Sequence, residues 1–190
     1  RKTEVARLLP VFLEVVKEFS RKHQDFCFVI PTVHTVEDKV RAMVEESGLP
    51  IKILTTESDR HDAFVASEAA IAASGTVALE LAMVDVPHII AYKVAPLTAW
   101  LAKHFLHIQF VNLSNILLGR EVVPELLQDD CNVQNIIYHV EELLKKGALY
   151  ERQMEGFAKV KEILGLGEQT PSANACDVIL SIVNKNNDKK

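Results

Sequence analysis

The 190-residue chain carries 48% hydrophobic residues, 25% charged residues and a net charge of −5, which suits one large globular domain with length enough for a buried core. That acidic balance argues against a general nucleic-acid binder, because neutralising phosphates needs clustered Lys and Arg. No apolar run reaches the ~18–20 residues of a membrane span, and Arg1-Lys2-Thr3-Glu4 leads into an amphipathic pattern rather than a signal peptide. Cys27, Cys131 and Cys176 are odd in number and far apart. They fit a reducing compartment and suggest neither a disulfide framework nor a zinc site.

Val5, Leu8, Leu9, Phe12, Leu13, Val16 and Phe19 form a helical stripe over residues 5–21. The apolar run Phe26-Cys27-Phe28-Val29-Ile30, stopped by Pro31, reads as an interior strand of a parallel sheet. Thr35 can cap a helix that runs to Ser47 and ends at Gly48. Ile51 to Leu54 is a second strand, and residues 59–67 form a short helix. Residues 69–73 are a third strand, closed by the turn Ser74-Gly75-Thr76. A helix over 77–84 and a strand opened by Pro87 follow. Alternation of this kind predicts a doubly wound, Rossmann-like α/β sheet with helices on both faces.

In such sheets ligands sit beyond the carboxyl ends of the strands, which is where the Ser74-Gly75-Thr76 turn falls. Small residues let a ligand approach the backbone, and the unpartnered N–H groups that open a helix attract a phosphate. Glu80, one turn in, can accept hydrogen bonds from a ribose diol beside it. The plainer reading is that Ser74 or Thr76 caps the helix and Glu80 is a solvated acid.

Residues 96–105 follow, with Leu97, Trp100, Leu101 and Phe105 on one helical face and Lys93, Lys103, His104 and His107 nearby. The face suits either the core or a membrane or partner surface. His104 and His107 are spaced like a metal pair, but no third ligand is near. Ser114 and Asn115 stand among apolar neighbours, which implies satisfied turn bonds or a site that reads a polar ligand. Pro124-Glu125-Leu126-Leu127-Gln128 reads as a short helix, Asn132 caps a helix over 133–146, and helices over 150–164 and 172–183 complete the fold. Residues 184–190 are a polar tail.

Taken together, Arg1, Glu4 and Val5, the run Ala73 to Glu80, then Pro87, Tyr92, Pro96, Thr98, Leu101 and Lys103 resemble one known family. Asn115, Leu117, Gly119, Arg120 and Glu121, with Pro124, Glu125, Leu127 and Gln128, complete the likeness. They are similar to the carboxyl-terminal half of lipid-A-disaccharide synthase, a two-Rossmann-domain (GT-B) glycosyltransferase. The resemblance implies transfer of 2,3-diacylglucosamine from its UDP carrier to 2,3-diacylglucosamine 1-phosphate. The products are a β-1′,6 disaccharide and UDP, formed with inversion and with no metal or other cofactor required.

It further implies that Ser74, Gly75 and Thr76 cradle the diphosphate, that Glu80 holds the ribose, and that Asn115 and Glu121 line the sugar-nucleotide pocket. The catalytic roles fall to Arg1, offsetting charge on the leaving UDP, and to Asn115. Residues 1–183 are then the UDP-sugar-binding domain, with its first strand and the amino-terminal domain that carries the general base expected upstream. A homodimer on the cytoplasmic face of the bacterial inner membrane is the implied setting. The competing readings are a UDP-N-acetylglucosamine 2-epimerase and a non-catalytic nucleotide-binding or dimerisation module. A NAD-type domain is disfavoured, because no Gly-x-Gly-x-x-Gly follows an early strand.

Overall fold

The computed structural model describes residues 1–73, 75–94, 109–165, 176 and 179–180. The 96–105 helix with Trp100, the His104–His107 pair, nearly all of the 172–183 segment and the tail lie outside the described residues. The order is α1 (Lys2–Lys22), β1 (Phe28–Pro31), α2 (His34–Ser47), β2 (Ile51–Leu54), α3 (Glu57–Ala66), β3 (Ala70–Ala72), α4 (Thr76–Met83) and β4 (His88–Tyr92). It continues with α5 (Leu113–Leu118), β5 (Glu125–Leu127), a 3-10 turn (Gln128–Asp130), α6 (Val133–Leu144) and α7 (Ala148–Ile163).

All the pairing among the described strands is parallel. β1 pairs with β2 from Phe28↔Ile51 to Pro31↔Leu54. β4 lies between β3 and β5, with Ile90 opposite both Ala72 and Glu125. Parallel neighbours require a crossover, and each crossover here contains a helix, so the expected α/β architecture with helices on both faces is what forms.

β4 shows why both faces are covered. Ile89, Ile90 and Ala91 are fully buried. By the two-residue period of a strand, Ile90 packs with Ala78, Leu81, Val122 and Phe157 on the α4–α7 face. Ile89 and Ala91 pack with Leu8, Val15, Leu126, Ile136 and Leu143 on the α1–α6 face. Burying each large aliphatic chain contributes about 1.5–3 kcal/mol. α1 joins the two sheets: Leu8 and Val15 serve the β4 core, while Leu9 packs with Val36, Val40 and Val44 over β1 and β2.

One expected helix is a strand. Glu125 to Leu127 pairs with β4 instead of coiling, because the open edge of a buried strand outweighs the weak helical preference of Glu-Leu-Leu. Other differences concern helix starts. Thr56, not a residue near 59, caps α3, its Oγ1 accepting from Asp59 N–H at 3.1 Å. Val33, not Thr35, is the N-cap of α2. Asn132 caps α6 as its sequence position predicts, accepting from Asn135 N–H at 3.0 Å.

The amino edge of the β4 sheet is closed by α7. Gln153, fully buried, accepts from His88 N–H at 2.9 Å and donates to His88 C=O at 2.8 Å. The His88 ring stacks on Phe157 and its Nδ1 bonds Val86 C=O at 2.9 Å, which makes Nδ1 the protonated nitrogen. Burial holds the imidazole pKa down at about 4, from an ordinary 6.5. The folded chain therefore keeps His88 neutral where the unfolded chain protonates it. Stability should fall by about 3 kcal/mol as pH drops from about 6.5 to 4 and this loss should level off below, following the pKa difference. Urea denaturation across that range should show the decline in the wild type, and His88→Gln should remove this component of it.

Candidate functional site

β3 ends in a turn whose backbone only glycine adopts readily. Gly75 has φ +91° and ψ −155°, a region that a side chain excludes. A Cβ there would meet nothing within 4 Å, so the glycine answers a backbone requirement and leaves open space beside it. Gly75 is the N-cap of α4 and, as a glycine, brings no side chain to cap that end of the helix. Its first N–H groups thus point out of the carboxyl edge of the sheet, where the helix dipole favours an anion. Thr76 is the first helical residue rather than a cap. Ser74 lies outside the described residues.

Glu80 stands one turn further along α4. Its Oε2 is 3.6 Å from Arg60 Nη2 on α3, and Arg60 also reaches Glu57 at 3.6 Å. Both partners of the Arg60–Glu80 pair are partly solvated, so it contributes well under about 1 kcal/mol and a ligand can displace it cheaply. Arg60 also lines a cleft of about 250 Å³ with Thr32, Val33, Thr55, Thr56 and Glu57. These residues follow the carboxyl ends of β1 and β2, so the cleft opens on the same edge as the Gly75 turn. A larger open hollow, lined by Lys22, His23, Glu141, Leu144 and Lys145, lies at the carboxyl end of α1, away from this edge.

The start of α1 reaches the same edge. Tyr92 stands two residues past the Ala72↔Ile90 pair, level with the turn that follows β3. Its hydroxyl donates to Glu4 Oε1 at 2.7 Å, and Arg7 Nη1 donates to Lys93 C=O at 3.1 Å. The Tyr92 bond holds the Glu4 carboxyl below its usual range, and Glu4 in turn raises the Tyr92 phenol. Arg1 opens this helix, its backbone nitrogen 3.4 Å from Glu4 Oε2. The fold thereby brings Arg1, Gly75, Thr76 and Glu80 to one edge.

Asn115 and Glu121 are placed otherwise. Asn115 is fully buried, and its Oδ1 accepts from Val122 and Val123 N–H at 2.8 and 2.9 Å. Its Nδ2 donates to Val123 C=O and to Glu125 Oε1, both at 2.8 Å. All the bonds its amide can make are spent inside the protein, so it braces the segment rather than facing a ligand. These bonds match the alternative of satisfied turn bonds rather than a pocket-lining, catalytic Asn115. Glu121 is half exposed and lies 4.0 Å from Arg152 on α7. The next residue of that helix, Gln153, grips the first residue of β4, so Glu121 belongs to the amino edge, opposite the Gly75 turn.

Sequence reasoning missed Arg60 and Arg7, and named Tyr92, Lys93 and Glu125 without giving them a place in this arrangement. Only Tyr92, ending an apolar strand with a polar tip, carried a local signal. Glu125 accepts from Val111 N–H, Asn112 N–H and Asn115 Nδ2 at 2.8–2.9 Å, which anchors the start of α5. Asn115→Asp keeps the shape, removes both donors and sets a carboxylate against Glu125. It should cost at least about 3 kcal/mol through unpaired buried groups, measured by thermal unfolding.

The family model described as Lipid-A-disaccharide synthetase matches residues 1–179. A lipid-A-disaccharide synthase of Rhodospirillum centenum is 40% identical over 97% of this chain and 46% of its own length. That of Paramagnetospirillum magneticum is 41% identical over 100% of this chain and 49% of its own. The chain therefore spans about half the length of these relatives. A solved structure from Listeria monocytogenes, assigned as a UDP-N-acetylglucosamine 2-epimerase, is 18% identical with a TM-score of 0.50. It covers 83% of this chain and 40% of its own, a likeness of fold alone. The family model spans nearly the full length, and the chain belongs to the lipid-A-disaccharide synthetase family.

Proposed function

We propose that this chain is the nucleotide-holding half of a glycosyltransferase that moves 2,3-diacylglucosamine from UDP to 2,3-diacylglucosamine 1-phosphate. The observation that carries the reading is the glycine turn, φ +91° at Gly75, that starts α4 at the carboxyl edge, with Glu80 one turn beyond. The diphosphate lies on the N–H groups of the turn formed by Ser74, Gly75 and Thr76. The ribose hydroxyls bond Glu80, displacing Arg60, and the nucleobase enters the cleft of Thr32, Val33, Thr55 and Thr56.

Charge grows on the diphosphate as the glycosidic bond breaks. Fixed N–H dipoles and the Arg1 guanidinium stabilise that charge without having to reorganise. On this reading the reaction inverts the anomeric centre and requires no metal. The base that takes the acceptor's proton lies outside residues 1–183, in an amino-terminal domain, so the chain alone is inactive. Asn115 contributes by holding the 111–125 segment in shape, with its polar atoms already bonded. The protein acts as a homodimer at the cytoplasmic face of the inner membrane. Among the described residues no helix is long and apolar enough to cross a membrane.

Calorimetric titration of this chain with UDP, ADP and NAD tests the reading. UDP should bind selectively, and equal or absent binding of all three would overturn it. Glu80→Ala should weaken UDP by roughly 1–3 kcal/mol, the cost of losing charged hydrogen bonds; an unchanged affinity would remove Glu80 from the site. Gly75→Val should abolish binding by forcing the turn out of its positive φ, and normal affinity in that variant would contradict a phosphate at this turn.

A further inference from the structure

We propose that Tyr92 and Glu4 form a positioning pair that sets Arg1 against the diphosphate site. The inference rests on the proposed function and adds two residues to it. The Tyr92 hydroxyl donates to Glu4 Oε1 at 2.7 Å across 88 positions of sequence. It is the one side chain–side chain hydrogen bond, among the described residues, between the first turn of α1 and the β4 sheet. Glu4 Oε2 lies 3.4 Å from the terminal amino group of Arg1. One carboxylate thus links the end of β4 to the residue that opens α1. Arg7 fixes the next turn on the same point, donating to Lys93 C=O at 3.1 Å.

The register locates this link. β3 and β4 pair up to Ala72↔Ile90, and Tyr92, two residues on, stands where β3 has given way to the Gly75 turn. The first turn of α1 is tied on its other side by Lys39, whose Nζ donates to Lys2 C=O at 3.3 Å. The Tyr92 bond seats that turn at the end of β4, on the edge where α4 starts. The bond is charge-assisted, since a phenol donates to an ionised carboxylate, and such bonds are short and directional. Tyr92 therefore acts through Arg1, as a positioning residue that touches no substrate.

The test compares UDP with uridine, which lacks the phosphates, by calorimetry on this chain. Tyr92→Phe keeps the ring and removes the hydroxyl. It should weaken UDP about three- to tenfold, the range set by one hydrogen bond, and leave uridine within twofold of the wild type. In an Arg1→Ala background, Tyr92→Phe should weaken UDP no further. Glu4→Gln keeps the size, removes the charged acceptor, and should give the same pattern if the Tyr92 variant folds poorly.

A purely structural role predicts otherwise: UDP and uridine weaken in proportion, or the Tyr92 and Arg1 losses add, and either result overturns the pair. A wild type that prefers UDP, with the preference intact in Tyr92→Phe, overturns the pair and spares the nucleotide site. A wild type that binds UDP no better than uridine removes the diphosphate site, and both proposals fall with it.

Discussion

Everything in this molecule follows from the burial of β4 between two parallel neighbours. A strand with Ile89, Ile90 and Ala91 wholly inside needs apolar cover on both faces. Parallel pairing then obliges the chain to return to the same edge before each new strand. Helices make those returns and supply the cover. The loops that follow the strands consequently gather at one edge, and the fold collects there polar residues from segments far apart in sequence.

Burial on this scale leaves backbone groups needing partners wherever the strands stop, and two side-chain amides meet the need. Gln153 bonds both the N–H and the C=O of His88, as an adjoining strand would. Asn115 does the same for Val122 and Val123, and holds Glu125 as well. Unpaired groups in these places would cost several kcal/mol each in a medium of low dielectric. The tight packing has a steric side too: a Cβ on Gly156 would lie 3.0 Å from Val122 Cγ1, so α7 comes this close to the segment before β5 only through a glycine.

Net charge is a poor guide to local charge here. The chain is acidic overall, yet Arg1, Arg7, Arg60 and Lys93 stand at the carboxyl edge with the open start of α4. Arg60 pairs with Glu80 at 3.6 Å, and Arg7 donates to Lys93 C=O. A partly solvated ion pair such as Arg60–Glu80 costs little to exchange for a ligand.

The sequence alone determined the α/β class, the helical stripe of α1, the Asn132 cap and the glycine turn after β3, because each is written in local patterns. Periodicity, caps and a positive φ are decided by residues a few positions apart. Tertiary structure decided the rest. Glu125 to Leu127 is helical by propensity and became a strand because β4 offered it an edge. Asn115 looked like a ligand contact and is a brace, since its four partners come from a segment that turns back on it. Glu121 looked like a pocket residue and went to the opposite edge with Arg152. Arg60 beside Glu80, and Tyr92 on Glu4, join residues 20 and 88 positions apart. No local pattern encodes such pairs; they exist only once parallel strands have brought their loops to one edge.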